Sequence, residues 1–248
     1  MSTYDHLKSV LGKRGTGFLC LLDPDRMDKQ DLVHTAVTCA DNGADALLMG
    51  GSFLLYSDFD RAVREVRRAV GLPLLIFPGP DMNQVSSAAD AILFLCMISG
   101  RNPDLLIGQQ VKAAPIVKAY GLEAISTGYM LVDSGRQTTA EYISNTKPMP
   151  GDKPEIATAH ALAAQFLGMQ CVYLDAGSGA GRMVSDEMIA AVAGNVSIPV
   201  IAGGGIREPR DAGAKAAAGA DFVVVGSVLE AKRDPALVRD FADAVHSG

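Results

Sequence analysis

The chain has 248 residues, 48% hydrophobic and 20% charged, a composition that can build a large core and excludes wholesale disorder. Its formal net charge of −6 argues against a nucleic-acid surface, which shows as clustered basic excess, so no nucleic-acid partner is expected. No apolar run approaches the ~20 residues of a membrane-spanning helix. The opening MSTYDHLKSVLGKRG lacks a basic segment followed by an apolar core, so a cytoplasmic protein is expected.

Strand-length apolar runs alternate with helix-period segments along the whole chain. Strands are predicted over 18–23, 46–50, 72–77, 91–98, 123–132, 172–175, 200–202 and 222–225. Helices are predicted over 29–42, 58–70, a short piece at 82–88, then 103–120, 154–167, 186–193, 209–218 and 234–245. Asp28, Asp58 and Ser185 have the chemistry of N-caps, and Pro154, Pro209 and Pro235 suit a first helical turn. Eight units with near-continuous apolar strands imply parallel pairing buried on both faces, hence a (β/α)8 TIM barrel spanning residues 1–248 as one domain. The alternative, an open doubly wound sheet, lacks its GxGxxG loop after the first strand. The longest irregular stretch, 134–154, follows the fifth strand, and loops of that length are functional or mobile. The basic run RAVREVRRAV at 61–70 has helical spacing and reads as a solvated helix face. Cys20, Cys39, Cys96 and Cys171 sit singly in apolar segments without CxxC spacing, as reduced thiols do.

In a barrel the residues just after each strand share one face and form one site. Strand six ends in YLDAGSGAG, strand seven in AGGGIR and strand eight in VGS. Glycines let main-chain N–H groups approach an anion closely, and the last two loops are the usual phosphate site of this architecture. Gly203, Gly204, Gly205, Gly226 and Ser227 match that placement. No lysine lies in these loops, so backbone N–H groups with Ser178 or Ser227 would hold a phosphate that stays attached throughout the reaction. Asp175 stands beside them as a candidate base toward a hydroxyl. At the first strand end, read as lying across the mouth, LDPD supplies Asp23. Together with Ser52 it suits Mg²⁺, which takes few protein ligands plus substrate phosphate; Asp25 or Asp28 serves equally as a helix cap. Tyr129 either lines an apolar groove or fills the barrel rim. His6, His34, His160 and His246 form no HExxH pair, AGSGAG lacks the first glycine of an esterase elbow, and no Walker lysine motif is present. One metal-assisted and one glycine-lined anion site suggest a two-substrate transfer with a departing diphosphate.

The strand ends resemble the geranylgeranylglyceryl phosphate synthase family, which includes the heptaprenylglyceryl phosphate synthases. The resemblance rests on LLDPD, LMGGS, LLIFPGP, the long FLCMISGRNPDLLIGQQVKAAPIVKAYGLEAISTGYMLVD, SNTKPMPGDKPEIATAHALAAQFLGM, YLDAGSGA, AGGGIR and VVVGS, and covers most of residues 21–227. It is closest in kind to the longer archaeal and bacterial group. It implies sn-glycerol 1-phosphate as acceptor, a long prenyl diphosphate as donor, and the first ether bond of an archaeal-type phospholipid as product. It further implies Mg²⁺ held by Asp23 and Ser52, Asp175 as catalytic base, and acceptor binding by Tyr173, Leu174, Asp175, Ala176, Gly177, Ser178, Gly179, Gly204, Gly205, Gly226 and Ser227. It makes a homo-oligomer and transient contact with a membrane surface expected. Two departures stand out: the family usually carries glutamate at Asp175, one methylene longer, and threonine or asparagine at Ser227. The alternatives are a barrel isomerase or aldolase acting on a single sugar-phosphate, which would need no metal, and a non-catalytic binder of a phosphate ligand.

Overall fold

The protein is described from a computed structural model covering residues 1–55, 58–79 and 84–248. Eight strands, β1 (Gly17–Leu22), β2 (Ala46–Met49), β3 (Leu74–Ile76), β4 (Ala91–Cys96), β5 (Glu123–Leu131), β6 (Cys171–Asp175), β7 (Val200–Gly203) and β8 (Phe222–Val225), form a closed barrel in chain order. All pairs are parallel, and the barrel closes by pairing Cys20 of β1 with Val225 of β8. The (β/α)8 reading of the sequence is therefore borne out, with strand bounds within a few residues of those expected.

The strands are largely apolar because most of their residues are buried on both faces. Leu19, Leu48, Leu75, Leu93, Tyr173 and Val224 fill the barrel interior, while Cys20, Leu22, Leu47, Met49, Leu74 and Ile76 face the helical layer. This two-way alternation is the side-chain period of a strand. Burying such residues contributes about 1.5–3 kcal/mol for each large side chain. The end of the barrel opposite the site is stoppered by α1 (Thr3–Arg14), a helix not expected from the sequence. Tyr4 and Leu7 join the interior cluster, the Tyr4 hydroxyl donates to the Gln170 carbonyl at 2.8 Å, and the Tyr4 amide donates to Glu123 at 3.1 Å.

The outer helices follow their start signals. Asp28 caps α2 (Lys29–Asp41) by accepting from the Asp31 amide, and Ser185 caps α7 (Asp186–Ala193). Prolines open α6 (Pro154–Phe166), α8 (Pro209–Ala217) and α10 (Pro235–His246). Asp58 precedes α3 (Phe59–Ala69) but makes no side-chain cap bond. The basic run forms α3 as a solvated face: Ala62, Val63 and Val66 are buried, while Arg61 pairs with Glu65 at 2.9 Å and Arg64 with Asp60 at 2.7 Å. All four cysteines are free. Among the described residues no helix is long and apolar enough to cross a membrane.

Two expectations need correction. Residues 84–88 are not helical; 82 and 83 lie outside the described residues. Gln84 and Ser86 are fully buried polar side chains that bond the Gly51 backbone and the Asp60 carboxylate, and such long-range ties compete with helix formation. Beside this stretch the end of β4, Phe94 to Cys96, is only partly buried. The segment 134–154 is not wholly irregular, since α5 (Thr139–Ser144) lies within it and Val132 bridges to Met149. The helix expected over 103–120 runs unbroken over those residues, opening on a π-helical turn at Asp104–Gly108 and continuing as α4 (Gln109–Tyr120), which contains Pro115. Finally, β8 runs directly into a short α9 (Ser227–Lys232).

Candidate active site

The C-terminal ends of the strands surround a cavity of about 880 Å³. Its floor is a cluster of three rings: Phe77 stacks on Tyr173 with centroids 5.1 Å apart, and Tyr129 meets Tyr173 edge-on at 5.7 Å. Tyr129 and Tyr173 are register partners on β5 and β6, one inward-facing step below Leu131 and Asp175, and Phe77 is the residue just after β3. Aromatic pairs in this geometry add stabilisation beyond their buried area and give the site a rigid base.

Asp175 ends β6 and is 7% exposed. Its Oδ2 accepts from the Tyr129 hydroxyl at 2.7 Å and its Oδ1 from the Gly177 amide at 2.7 Å. Burial pushes its pKa above the ordinary value, and these two hydrogen bonds pull it back, as expected for a carboxylate taken from water but given donors. Each oxygen keeps a free lone pair, so the group can still accept a proton from a ligand. Burial and the neighbouring Asp175 charge also raise Tyr129 well above the usual phenol value, so Tyr129 remains a donor.

The loop after β7 is pressed against this carboxylate. A Cβ on Gly204 would lie 2.5 Å from Asp175 Oδ1 and 2.7 Å from the Ala176 amide nitrogen, and its φ is +85°, so only glycine lets the two loops touch here. Across the loops the Ser178 and Ser227 hydroxyl oxygens stand 3.4 Å apart.

Asp23 follows β1 on the same rim. Because the barrel closes β8 onto β1, Asp23 is next to the β8 loop and not across the mouth from it, which corrects the expected placement. Its amide donates to Glu230 Oε1 at 2.8 Å, its Oδ1 accepts from the Asp25 amide at 3.0 Å, and its Oδ2 faces Arg26 Nε at 3.3 Å. Gly51 packs so closely that a Cβ there would lie 2.9 Å from Asp23 Oδ2, which brings Ser52, the next residue, to the same wall. Asp25 caps no helix; it accepts from the Leu55 amide and fixes the loop after β2. Burial raises the pKa of Asp23, and burial first and the Asp23 charge last bring Glu230 to about 7, against hydrogen bonding from the Asp23 amide and attraction by Arg26. Among the described residues no three His, Cys, Asp or Glu side chains cluster as a protein-only metal cage. Asp23 and Ser52 instead present side-chain oxygens on one wall, a donor type that would fit Mg²⁺ shared with substrate phosphate and water.

Of the expected site residues, Asp23, Ser52, Tyr129, Tyr173, Asp175, Ser178, Gly179, Gly204, Gly205, Gly226 and Ser227 all line this one cavity. Leu174 and Ala176 do not. They pack into the helical layer, as strand alternation past Tyr173 and Asp175 requires. Gly177 does not line it either, and its amide is committed to Asp175. Three features went unread in the sequence: Arg26, Glu230, and an apolar arm of the cavity. The arm runs over Val85, Ile92, Phe94, Leu105 and Ala113, beside the non-helical residues 84–88.

Residues 9–245 match the model of the PcrB family. The chain belongs to the PcrB family. It is 46% identical over 93% of its length to the geranylgeranylglyceryl phosphate synthase of Chitinophaga pinensis, covering 90% of that protein. It is 40% identical over 93% of its length to the protein of that name from Methanothermobacter marburgensis, covering 92% of it. Among solved structures it superimposes on (S)-3-O-geranylgeranylglyceryl phosphate synthase from Thermoplasma acidophilum, in complex with substrate sn-glycerol-1-phosphate, with a TM-score of 0.93, 31% identity and full coverage of both chains. The family resemblance read from the strand ends is thus shown, and with it a PcrB-family enzyme.

The Glu230 environment makes a prediction for this PcrB-family barrel. A carboxyl raised to about 7 when folded contributes stability that is fully present below the ordinary glutamate pKa and is lost as pH rises through 7. Glu230→Gln keeps an acceptor for the Asp23 amide and does not titrate. In metal-free buffer, chemical denaturation is expected to give matching stabilities near pH 4.5 once each protein's other titrations are subtracted. The variant should gain about 2–3 kcal/mol over the wild type by pH 8.5.

Proposed function

We propose that this protein is a Mg²⁺-dependent prenyltransferase that joins a long prenyl diphosphate, of the geranylgeranyl type, to the 3-hydroxyl of sn-glycerol 1-phosphate. The observation that carries this reading is one cavity with three parts: glycine-turned loops bearing Ser178 and Ser227, a buried carboxylate at Asp175, and an apolar arm over Val85, Ile92, Phe94, Leu105 and Ala113. A single sugar-phosphate would fill a small fraction of about 880 Å³ and has no use for an arm lined by Ile92, Phe94 and Leu105. The names of the relatives, and the ligand named for the Thermoplasma acidophilum enzyme, support the same assignment.

Main-chain N–H groups of Gly179, Gly204, Gly205 and Gly226, with the two serine hydroxyls, hold the acceptor's phosphate. Tyr173 forms the floor beneath the glycerol. Asp175 accepts the proton of the 3-hydroxyl as that oxygen forms its bond to the allylic carbon; the carbon–oxygen bond to diphosphate breaks, and diphosphate leaves with the electron pair. Tyr129 holds Asp175 in place by its hydrogen bond and keeps it ionised nearer to neutral pH than burial alone would allow. Asp23 and Ser52 would hold Mg²⁺, which when bound neutralises the charge of the diphosphate. The apolar arm takes the prenyl chain and excludes water from the reacting carbon. Asp175 is a methylene shorter than the family's usual glutamate, and the rings packed beneath it supply the rigidity that places it. The full chain works as one barrel domain in the cytoplasm and meets membrane surfaces through its lipid substrate and product.

The direct test is incubation of the purified enzyme with Mg²⁺, sn-glycerol 1-phosphate and geranyl, farnesyl or geranylgeranyl diphosphate. An ether-linked prenylglyceryl phosphate is the expected product. Its absence with every donor would overturn the reading. Asp175→Asn should lower kcat by roughly 10²–10⁴-fold. Since the base must be ionised, activity falls as pH drops through its raised pKa. Tyr129→Phe removes a hydrogen bond that lowers that pKa, so the acid limb of the kcat/KM profile should move to higher pH, whereas a Tyr129 acting only in packing would leave the limb in place. In the arm, Ala113→Phe should reduce turnover with geranylgeranyl diphosphate more than with geranyl diphosphate, as read from paired kcat/KM values.

A further inference from the structure

We propose that Arg26 is the cationic ligand of the acceptor's phosphate and selects the charged phosphomonoester; this rests on the reading of the cavity given above. The glycine loops contain no lysine, yet a phosphate dianion held by N–H dipoles and hydroxyls alone lacks a full counter-charge. Arg26, three residues past Asp23 in LDPDR, supplies one. Its Nη2 lies 2.8 Å from Ser178 Oγ and its Nη1 lies 3.1 Å from Ser227 Oγ. Among the described residues it is the cation that hydrogen-bonds both serines. Arg207 and Lys232 also line the cavity, but Arg207 donates to the Ala180 carbonyl at 2.9 Å, and it is Arg26 that reaches the two serines.

The same guanidinium is anchored from behind. Its Nε is 3.3 Å from Asp23 Oδ2 and its Nη1 is 3.9 Å from Glu230 Oε2. Asp23 at Nε, Ser178 at Nη2, and Ser227 and Glu230 about Nη1 fix the plane of the fork, and a planar fork is the shape that meets two phosphate oxygens at once. The side chain is 45% exposed, so it is not a packing residue and can follow a ligand. Arg26 therefore spans the wall that carries Asp23 and the loops that carry the serines.

The test is calorimetric titration of sn-glycerol 1-phosphate, and of glycerol as the uncharged comparison, into wild type, Arg26→Ala and Arg26→Lys without metal, together with steady-state kinetics. Loss of a charge-assisted hydrogen bond predicts that Arg26→Ala weakens acceptor binding and raises its KM by roughly 10- to 100-fold, with Arg26→Lys recovering part of the loss. The KM for prenyl diphosphate and the unfolding midpoint should stay within about twofold and about 2 °C of wild type, respectively, the surface-substitution range. Equal acceptor affinity in wild type and Arg26→Ala would overturn the assignment while leaving the proposed function standing. So would a rise confined to the donor's KM, which would place Arg26 at the diphosphate. Failure of the wild type itself to bind glycerol 1-phosphate would overturn the proposed function, and this inference with it.

Discussion

The pairing of Cys20 with Val225, where the last strand closes on the first, is the constraint on which the site depends. A chain that ended its sheet open would leave LDPD and VGS on opposite edges. Closure makes them neighbours, so that the Asp23 amide meets Glu230 and Arg26 reaches Ser227. One rim thereby carries a carboxylate wall and a glycine-lined pocket side by side, a spacing that no single loop of this length could hold. The interior leucines and the stopper helix α1 make that closure rigid, and the rim loops inherit the rigidity.

Electrostatics explain why the rim tolerates so many acids. Asp175, Asp23 and Glu230 are all drawn up in pKa by burial, and a buried unpaired carboxylate is costly. Each is therefore given donors: a phenol and an amide for Asp175, an amide and a guanidinium for Asp23, and an amide for Glu230. In a protein of net charge −6, anionic substrates must be drawn in by local groups. Aligned main-chain amides and Arg26 provide a positive face, and a divalent ion at Asp23 completes it under the proposed reaction.

Much of this was legible before any coordinates. Parallel strands buried on both faces write themselves as continuous apolar runs, and residues 46–49 and 222–225 are unmistakable for that reason. Glycines such as Gly204, where no Cβ fits, mark the loops that touch. Other features were hidden because they arise from contacts between distant parts of the chain. Helix α1 has weak amphipathicity and is set by Glu123 and Gln170, more than a hundred residues away. The non-helical course of residues 84–88 goes with Gln84 and Ser86 bonding to Gly51 and Asp60. Arg26 reads as an ordinary surface charge until closure of the barrel brings Ser178 and Ser227 within its reach. Leu174, Ala176 and Gly177 stand off the cavity, because strand alternation past Tyr173 turns Leu174 and Ala176 into the helical layer and the Gly177 amide bonds Asp175.

The central claim is that two anion subsites share one cavity, one built from glycine loops and one from the Asp23 wall. The most direct measurement is a crystal structure of the protein with glycerol 1-phosphate, inorganic diphosphate and Mg²⁺ bound together. The account predicts the monophosphate between Gly204–Gly205 and Gly226–Ser227, its 3-hydroxyl turned toward Asp175, with diphosphate and the metal against Asp23 and Ser52. Both anions competing for the glycine loops, or diphosphate lodged away from Asp23, would contradict it.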